Sequence, residues 1–470
     1  MAISSVGIGS GIDANSIISQ LGSIERQPLK SLQTKASTLQ TQLSLYGKIK
    51  SQVSAMGDAA ANLSLSSAWS VPKGTSSNSS AVGVTVATGA LAASVSVEVT
   101  NLARAQSSVT QAMSSTATLS AGTLTFKTGT WSGATPSFTA SSATSTAVDV
   151  TATDTLSTLA DKINAAGAGV TASVLQDGSQ QRLMLRSSAT GLASGFEVAT
   201  TDPGLAQFKM TDGAATTAGA GGMYISQTAL DANVKINGVG VTSTTNKITN
   251  ALPGVTLTLG EVTAKPVELT IENDLDAVKA KIQTMVDAYN TLNNTIGDST
   301  RYDATTKRGA ALQGDSMTLS LQTAMRSMLS STSVGSTSYK TLSDAGIERQ
   351  TDGSLKLNSS KINAALANMT ELKKLFTTDN GKPETNGFAL KIRDFSRGLV
   401  SFDGRVTNRS AGIQTSISKN SADQDRVNER ADRVEASLRK QYSALDTRMA
   451  QMNGLSSYVS SQIAQWNKSS

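Results

Sequence analysis

The side chains best equipped for chemistry are a glycine cluster and two pairs of carboxylates. Gly7, Gly9 and Gly11 form a Gly-rich stretch of the kind that cradles a phosphate. A phosphate loop, however, needs a strand before it and a Lys at fixed spacing after it, and the sequence supplies neither. Asp423 with Asp425, and Asp344 with Glu348, are near enough in sequence to work as acid and base, but a helix cap or a solvated helix face accounts for each. Gly219 to Gly222 is a flexible loop by composition. The 470 residues include no His and no Cys, which removes imidazole bases, thiol nucleophiles, disulfides and nearly all zinc or transition-metal sites together. No Ser has a general base that can be placed beside it. The expectation is a protein that is not an enzyme, with no catalytic residue, no cofactor and no metal.

Charge narrows the partners. There are 41 basic and 35 acidic residues, a formal charge of +6, but the signs alternate from Asp423 to Arg433. That is the pattern of a solvated helix, so no nucleic acid is expected. Aromatics make up 4 % of the chain, too few for a surface that stacks bases or sugars. No stretch approaches the ~18 apolar residues of a membrane span. Met1 to Gly11 has no Lys or Arg and no continuous apolar core, so no cleaved secretory peptide is expected; the chain either stays in the cytoplasm or leaves by another route.

Two helical seams must position whatever function remains. In the N-terminal region Leu29, Ala36 and Leu43 repeat every seven residues, beside a second line of Leu32, Leu39, Tyr46 and Val53. Near the other end Leu438, Leu445, Met452, Val459 and Trp466 repeat every seven, with Tyr442, Met449, Ser456 and Ile463 on the alternate line. Such stripes are more often ordinary core than a partner surface. Here the C-terminal stripe can be covered only by the N-terminal helix or by a neighbouring subunit, and twelve of the thirty residues from Ser421 to Ala450 are charged, which suits a helix projecting into water. Both seams are therefore candidate assembly surfaces.

Between them the period changes to two. From about Ser76 to Ile271 the spacing predicts half-buried antiparallel strands, as in Val82-Val84-Val86 and Val95-Val97-Val99. Asp177-Gly178 and Asn237-Gly238 mark hairpin turns, Val255-Leu257-Leu259 and Val267-Leu269-Ile271 add strands, and a helix is expected over Thr155 to Ala166, capped by Asp154 and ended by Gly167. Ala105 to Thr146, rich in Ser, Thr, Ala and Gly, is expected to be an exposed, loosely packed insertion. From Asn273 a helix runs until Gly297 stops it, with Leu275, Val278, Ile282, Met285, Tyr289, Leu292 and Ile296 on one face. Further helices are expected at Ser316 to Leu329, near Ser360 to Ala367 and from about Ser418 onward, with a hairpin turning at Asp352-Gly353. The fold class is α+β and multidomain, a coiled-coil-like helical leg built from both termini with mostly antiparallel β domains inserted in the middle. The expected divisions are an N-terminal helical segment (1–75), a β domain (76–110 and 225–272), an inserted outer β-rich domain (111–224), a helical leg (273–415) and a C-terminal coiled-coil helix (416–470).

Several short motifs, in order along the chain, resemble one family. Gly7-Ile8-Gly9-Ser10-Gly11-Ile12-Asp13, Ile17-Ile18-Ser19-Gln20-Leu21 and Glu25-Arg26-Gln27-Pro28-Leu29 resemble the N-terminal signature of flagellar hook-associated protein 2, the filament cap family. Tyr46-Gly47-Lys48-Ile49-Lys50, Val99-Thr100-Asn101-Leu102-Ala103, Ile236-Asn237-Gly238, Leu252-Pro253-Gly254-Val255-Thr256-Leu257, Tyr442-Ser443-Ala444-Leu445-Asp446 and Met452-Asn453 continue the likeness; Ala105 to Gly222 matches least.

The resemblance implies a structural cap at the distal tip of the bacterial flagellum, beneath which exported flagellin joins the filament and is kept from being lost. It implies helical legs made from both termini, β domains facing outward, and export unfolded through the flagellar type III route. Implied partners are further copies of the chain in a ring of about four to six, flagellin, hook-filament junction proteins and a cytoplasmic export chaperone that holds the C-terminal helix. Another axial flagellar component, either flagellin or a hook-filament junction protein, shares helical termini around a variable β insert. A secreted adhesin binding mucin or glycan through the β domains is the alternative from a different class.

Overall fold

The structure, a computed structural model, describes residues 13–133, 136–141, 144–210 and 221–467. The Gly7-Gly9-Gly11 stretch and the first two residues of the expected Gly219 to Gly222 loop lie outside the described residues. The chain divides into two compact units, Met1–Trp69 with Asp276–Ser470, and Ser70–Leu275.

The first unit begins with helices α1 (Ala14–Glu25) and α2 (Gln27–Ser64). Asp13 caps α1 by accepting from the Ser16 amide at 3.0 Å. Pro28 falls in the first turn of α2, where its missing N–H costs no helical bond, and Arg26 is the joint between the two helices.

The second unit is β-rich, with antiparallel pairing. The chain enters through β1 (Pro72–Ser76), β2 (Val82–Val86) and β3 (Ala93–Asn101). It continues through β4 (Ser107–Val109), β5 (Met113–Ser114), β6 (Gly122–Ser132), β7 (Ser137–Ala140), β8 (Thr146–Val150), helix α3 (Leu156–Ala166), β9 (Val170–Asp177), β10 (Gln180–Ser187), β11 (Gly195–Ala199) and β12 (Tyr224–Gln227). It then returns through β13 (Ala232–Ile236), β14 (Val239–Ser243), β15 (Lys247–Leu252), β16 (Val255–Leu259) and β17 (Val267–Asn273). The first and last groups make a five-stranded sheet, β1-β17-β3-β13-β14, and a three-stranded one, β15-β16-β2. Their shared core follows the expected alternation: Val95, Val97 and Val99 are buried with Val267, Leu269 and Ile271. Asn237 (φ 49°) and Gly238 (φ 82°) form the tight turn between β13 and β14, the left-handed geometry that favours Asn-Gly.

The middle group has a core of its own, and here the expectation for Ala105 to Thr146 is overturned. This segment holds β4 to β7, and β6, flanked by β11, β7 and β8, buries Leu124 and Phe126 against Phe196, Leu159 and Ile163. Its Thr residues are β-branched strand formers rather than signs of a loose loop. Helix α3 ends at Gly167 (φ 60°) as expected, but its N-cap is Thr155 rather than Asp154. Thr155 and Thr158 bond each other's amides at 3.4 and 2.9 Å, and Asp154 instead accepts from the Thr151 amide at 2.7 Å and Lys162 Nζ at 2.5 Å. Lys162 above all holds the Asp154 carboxyl well below the usual range.

The first unit resumes with α4 (Leu275–Thr300), β18 (Tyr302–Asp303), β19 (Arg308–Gly309), α5 (Ser316–Leu329), β20 (Ile347–Arg349), β21 (Leu355–Leu357), α6 (Ser359–Ala367), α7 (Met369–Thr377), α8 (Phe388–Val400) and α9 (Arg405–Trp466). Of the expected α4 stripe, Val278 to Ile296 are buried, but Leu275, in the first turn of the helix, is 41 % exposed. Gly297 does not stop the helix: Ile296 and Ser299 are buried, and the last turn adds hydroxyl bonds from Ser299 to the Thr295 carbonyl and from Thr300 to the Ile296 carbonyl. Together these outweigh the ~1 kcal/mol cost of an interior Gly. Helices α7 and α8 go beyond the sequence expectations, and α9 starts at Arg405, well before the expected Ser418. α2 packs along α8 and α9, and a Cβ on Gly57 would lie 2.7 Å from the Ser396 Cβ, so this glycine permits the close approach of α2 to α8. Trp69 closes the core against Phe376, ring centroids 5.3 Å apart. No helix among the described residues is long and apolar enough to cross a membrane.

Candidate assembly interface

The N-terminal seam lies on one face of α2. Leu29, Leu32, Leu39 and Leu43 are half-buried, while Tyr46 and Val53 are fully buried among Ile49, Met56 and Leu63. Burial thus deepens along α2 toward the centre of the unit.

Tyr46 also anchors a polar lock. Its hydroxyl donates to Asp315 Oδ1 and contacts Thr318 Oγ1 at 2.9 Å. Asp315 is the N-cap of α5, accepting from the Thr318 amide at 2.9 Å, and its other oxygen receives Arg409 of α9 through Nη2 at 2.6 Å and Nε at 3.1 Å. One carboxylate therefore ties α2, α5 and α9 together. Burial alone would raise the Asp315 pKa, but the bonds from Tyr46, the Thr318 amide and Arg409 outweigh it and hold the group below its ordinary value. Tyr46 is pushed up to about 12, by burial first and then by the neighbouring carboxylate.

At the other end α1 lies along α9. Ala14 and Ile18 are buried, Arg26 pairs with Asp432 at 2.6 Å and with Glu435, and Glu25 pairs with Arg430 at 2.8 Å. The side of α9 that is covered runs through Ala431, Glu435, Leu438, Tyr442, Asp446 and Met449, with Ala431 and Asp446 buried and the others half-buried. Those positions follow one another by three or four residues, the spacing of a single helix face. Leu445 lies beside that face, and past Met449 every described side chain of α9 is exposed. Leu445 is 42 %, Met452 66 %, Val459 47 % and Ile463 53 % exposed. Leu455, which the heptad count passes over, is exposed as well and lies three residues after Met452. At 100° per residue these five side chains form one stripe about 80° wide. The Trp466 side chain lies outside the described ones.

The carboxylate pairs are occupied separately. Asp344 accepts from the amides of Lys340 and Thr341, Glu348 pairs with Lys361 at 2.8 Å, and Asp423 pairs with Arg426.

Family profiles match three stretches of the chain. The family profile "Flagellar hook-associated protein 2 N-terminus" matches residues 10–106, and "Flagellar hook-associated protein 2 C-terminus" matches residues 229–454. Between them, "Flagellin hook IN motif" matches residues 123–189. The chain is 31 % identical over 472 residues to flagellar hook-associated protein 2 of Escherichia coli K12, covering 98 % of each chain. It is 26 % identical to the B-type flagellar hook-associated protein 2 of Pseudomonas aeruginosa, covering 100 % of this chain and 97 % of the relative. The crystal structure of the flagellar cap protein FliD D1-D2-D3 domains from Escherichia coli superposes with a TM-score of 0.56 at 30 % identity, over 79 % of this chain and 99 % of that one. With near-complete coverage at that identity, this chain belongs to the flagellar hook-associated protein 2 family.

Proposed function

We propose that this chain is a structural cap at the distal end of the bacterial flagellar filament, where it promotes incorporation of exported flagellin and prevents its loss. The observation that carries the reading is the apolar stripe from Leu445 to Ile463, which is left uncovered among the described residues on a helix whose preceding face is taken by α1. An amphipathic helix in that state is a docking element for another helix. Copies of the chain associate through the helical unit in a ring of about four to six, in contact with flagellin and the hook-filament junction proteins. Before export by the flagellar type III route, a cytoplasmic chaperone covers the C-terminal stripe. No catalytic step belongs to this role. The separate cores of the β unit support treating 111–224 as an insertion into the domain formed by 76–110 and 225–272.

The test is a strain whose own copy is replaced by the Leu445→Asp, Met452→Asp variant. It should export flagellin yet leave it unpolymerised in the medium, while deletion of Ala121 to Ala214 should affect filament growth less. Normal filaments in the double-Asp strain, with the variant shown to be expressed, would refute the assignment of the stripe.

A further inference from the structure

Helices α5 and α8 leave a groove between them, made of two clefts of about 490 and 360 Å³ that share Asp394 and Phe395. Its apolar wall is one face of α5, Met317, Leu321, Ala324 and Met328, opposed by Phe395 and Leu399 of α8. In the wider cleft lies Lys391, which is buried. Its ammonium donates to Ser331 Oγ at 2.9 Å and the Thr332 carbonyl at 2.6 Å and sits 4.9 Å from the Phe388 ring centroid. No carboxylate among the described residues lies within ion-pair distance of it, and Asp394 beside it is held by Arg393 at 2.7 Å. Glu384 is the other acid on the rim. Glu384 acts on the buried ammonium through space, no ion pair is made to it among the described residues, and the ammonium has a third proton to give.

At the far end of α8 the chain turns into α9 through Ser401–Gly404. Phe402 there is 90 % exposed, a whole aromatic ring held out in water, and Asp403 beside it is exposed too. The turn is rigid. The Ser401 amide donates to the Arg397 carbonyl at 2.9 Å, the Gly404 amide to the Ser401 carbonyl at 2.9 Å, and Asn408 Nδ2 to the Asp403 carbonyl at 3.0 Å. A Cβ on Gly404 would lie 2.2 Å from the Leu399 carbonyl oxygen, so only Gly closes this turn. A preorganised aromatic beside an acid matches an apolar cleft that contains a buried ammonium with no direct ion pair.

We propose that Phe402 and Asp403 of one copy dock into the wider α5–α8 cleft of a second copy, the ring against Met328 and Phe395 and the carboxylate toward Lys391. About eleven residues of helix and turn separate Lys391 from Phe402, about 16 Å along the axis, so the turn does not reach its own cleft and the occupant is another chain. Donor and acceptor are different surfaces. The contact is therefore head to tail, the kind that repeats and closes into a ring when the rotation allows. This rests on the cap reading only in requiring that copies associate.

Because the chain has no Cys, single-cysteine variants test the contact directly. Full-length Ser401→Cys and Ser327→Cys proteins, mixed and treated with a short bismaleimide, should give a linked dimer that neither gives alone. Phe402→Ala in the Ser401→Cys chain should suppress the linkage and weaken association about 30-fold, the loss of a central aromatic anchor. Asp403→Lys should weaken it as well, with the helical circular dichroism of both variants unchanged. Association of normal strength in Phe402→Ala, or dimers linked through Ser401→Cys alone, would overturn this contact while leaving the cap reading intact. A chain that stays monomeric at every concentration would overturn both.

Discussion

Asp315→Ala removes a side chain shared by three helices of the helical unit, and its cost can be built bond by bond. The N-cap bond to the Thr318 amide contributes about 1 kcal/mol. The buried Tyr46 hydroxyl keeps Thr318 Oγ1 as a neighbour, so losing its acceptor costs about 1 kcal/mol, near the lower end for a stranded buried donor. The Arg409 side chain is 43 % exposed, and its ion pair is counted at no more than about 1 kcal/mol after screening by solvent. The expected destabilisation is about 2 to 3 kcal/mol. It would be read by urea unfolding followed through the helical circular dichroism signal, with the β unit as an internal reference. Tyr46→Phe, which removes the donor along with its need, should cost less than Asp315→Ala. The pH dependence has a definite sign. The folded Asp315 carboxyl lies below its ordinary value, so its contribution is complete above about pH 4 to 5, the range over which an unfolded Asp finishes ionising, and is lost as pH falls through the lower folded value. Wild type and variant should therefore converge in acid. A destabilisation under ~0.5 kcal/mol at neutral pH, or a gap that stays constant down to strong acid, would refute this account of the lock.

Other parts of the molecule give sharp expectations. Ile282→Asp places a charge in the buried α4 stripe and should destabilise the helical unit by several kcal/mol while the β unit melts as before; an unchanged melting temperature would show the stripe faces solvent. Gly57→Leu should force α2 from α8 at a cost of about 1 to 3 kcal/mol, seen as a lower urea midpoint. Glu371 is held at about 2, chiefly by Lys374 and then by Ser336 and the Thr337 amide. Amides of the 336–339 turn should stay protected above the ordinary Glu value of 4.5 and lose protection, measured against their intrinsic exchange rate at each pH, as pH falls toward about 2, and in Glu371→Gln that protection should be lost already at neutral pH. In dilute monomer, hydrogen exchange should be faster from Leu445 to Ile463 than from Val406 to Ala431, with the difference vanishing on assembly; equal protection in the monomer would refute a free stripe.

How much of this is legible in the sequence depends on how much of each pattern is local. Val95, Val97 and Val99 announce a strand because only one face of that sheet is buried, and Asn237-Gly238 announces its turn because few other residues adopt two successive positive φ angles. Strand β6 is hidden because its inward Leu124 and Phe126 alternate with Thr, and because what holds its sheet is remote. Gln106 bonds both the amide and the carbonyl of Phe196, and a Cβ on Gly129 would meet the Thr139 carbonyl oxygen at 2.2 Å. Helix α8 carries Lys391 among buried Phe388 and Ile392, a polar residue on the inner face that breaks the apolar period.

The seams show the same limit at the level of function. Counting sevens correctly places helices on Leu29 to Val53 and Leu438 to Ile463, because any helix-length apolar repeat does so. It does not distinguish Leu445, which is exposed, from Asp446, which is buried, because one residue is 100° of rotation and the inward face is set by where α1 lies rather than by α9 itself. Leu455 falls off the seven-residue line yet joins the uncovered stripe because no described side chain of α9 past Met449 is covered. The stripe becomes visible only when the covered face is subtracted from the apolar positions. What is left over, Leu445, Met452, Leu455, Val459 and Ile463, is apolar surface that the chain's own described helices do not use, and it is the part of α9 where a substitution should disturb assembly more than folding.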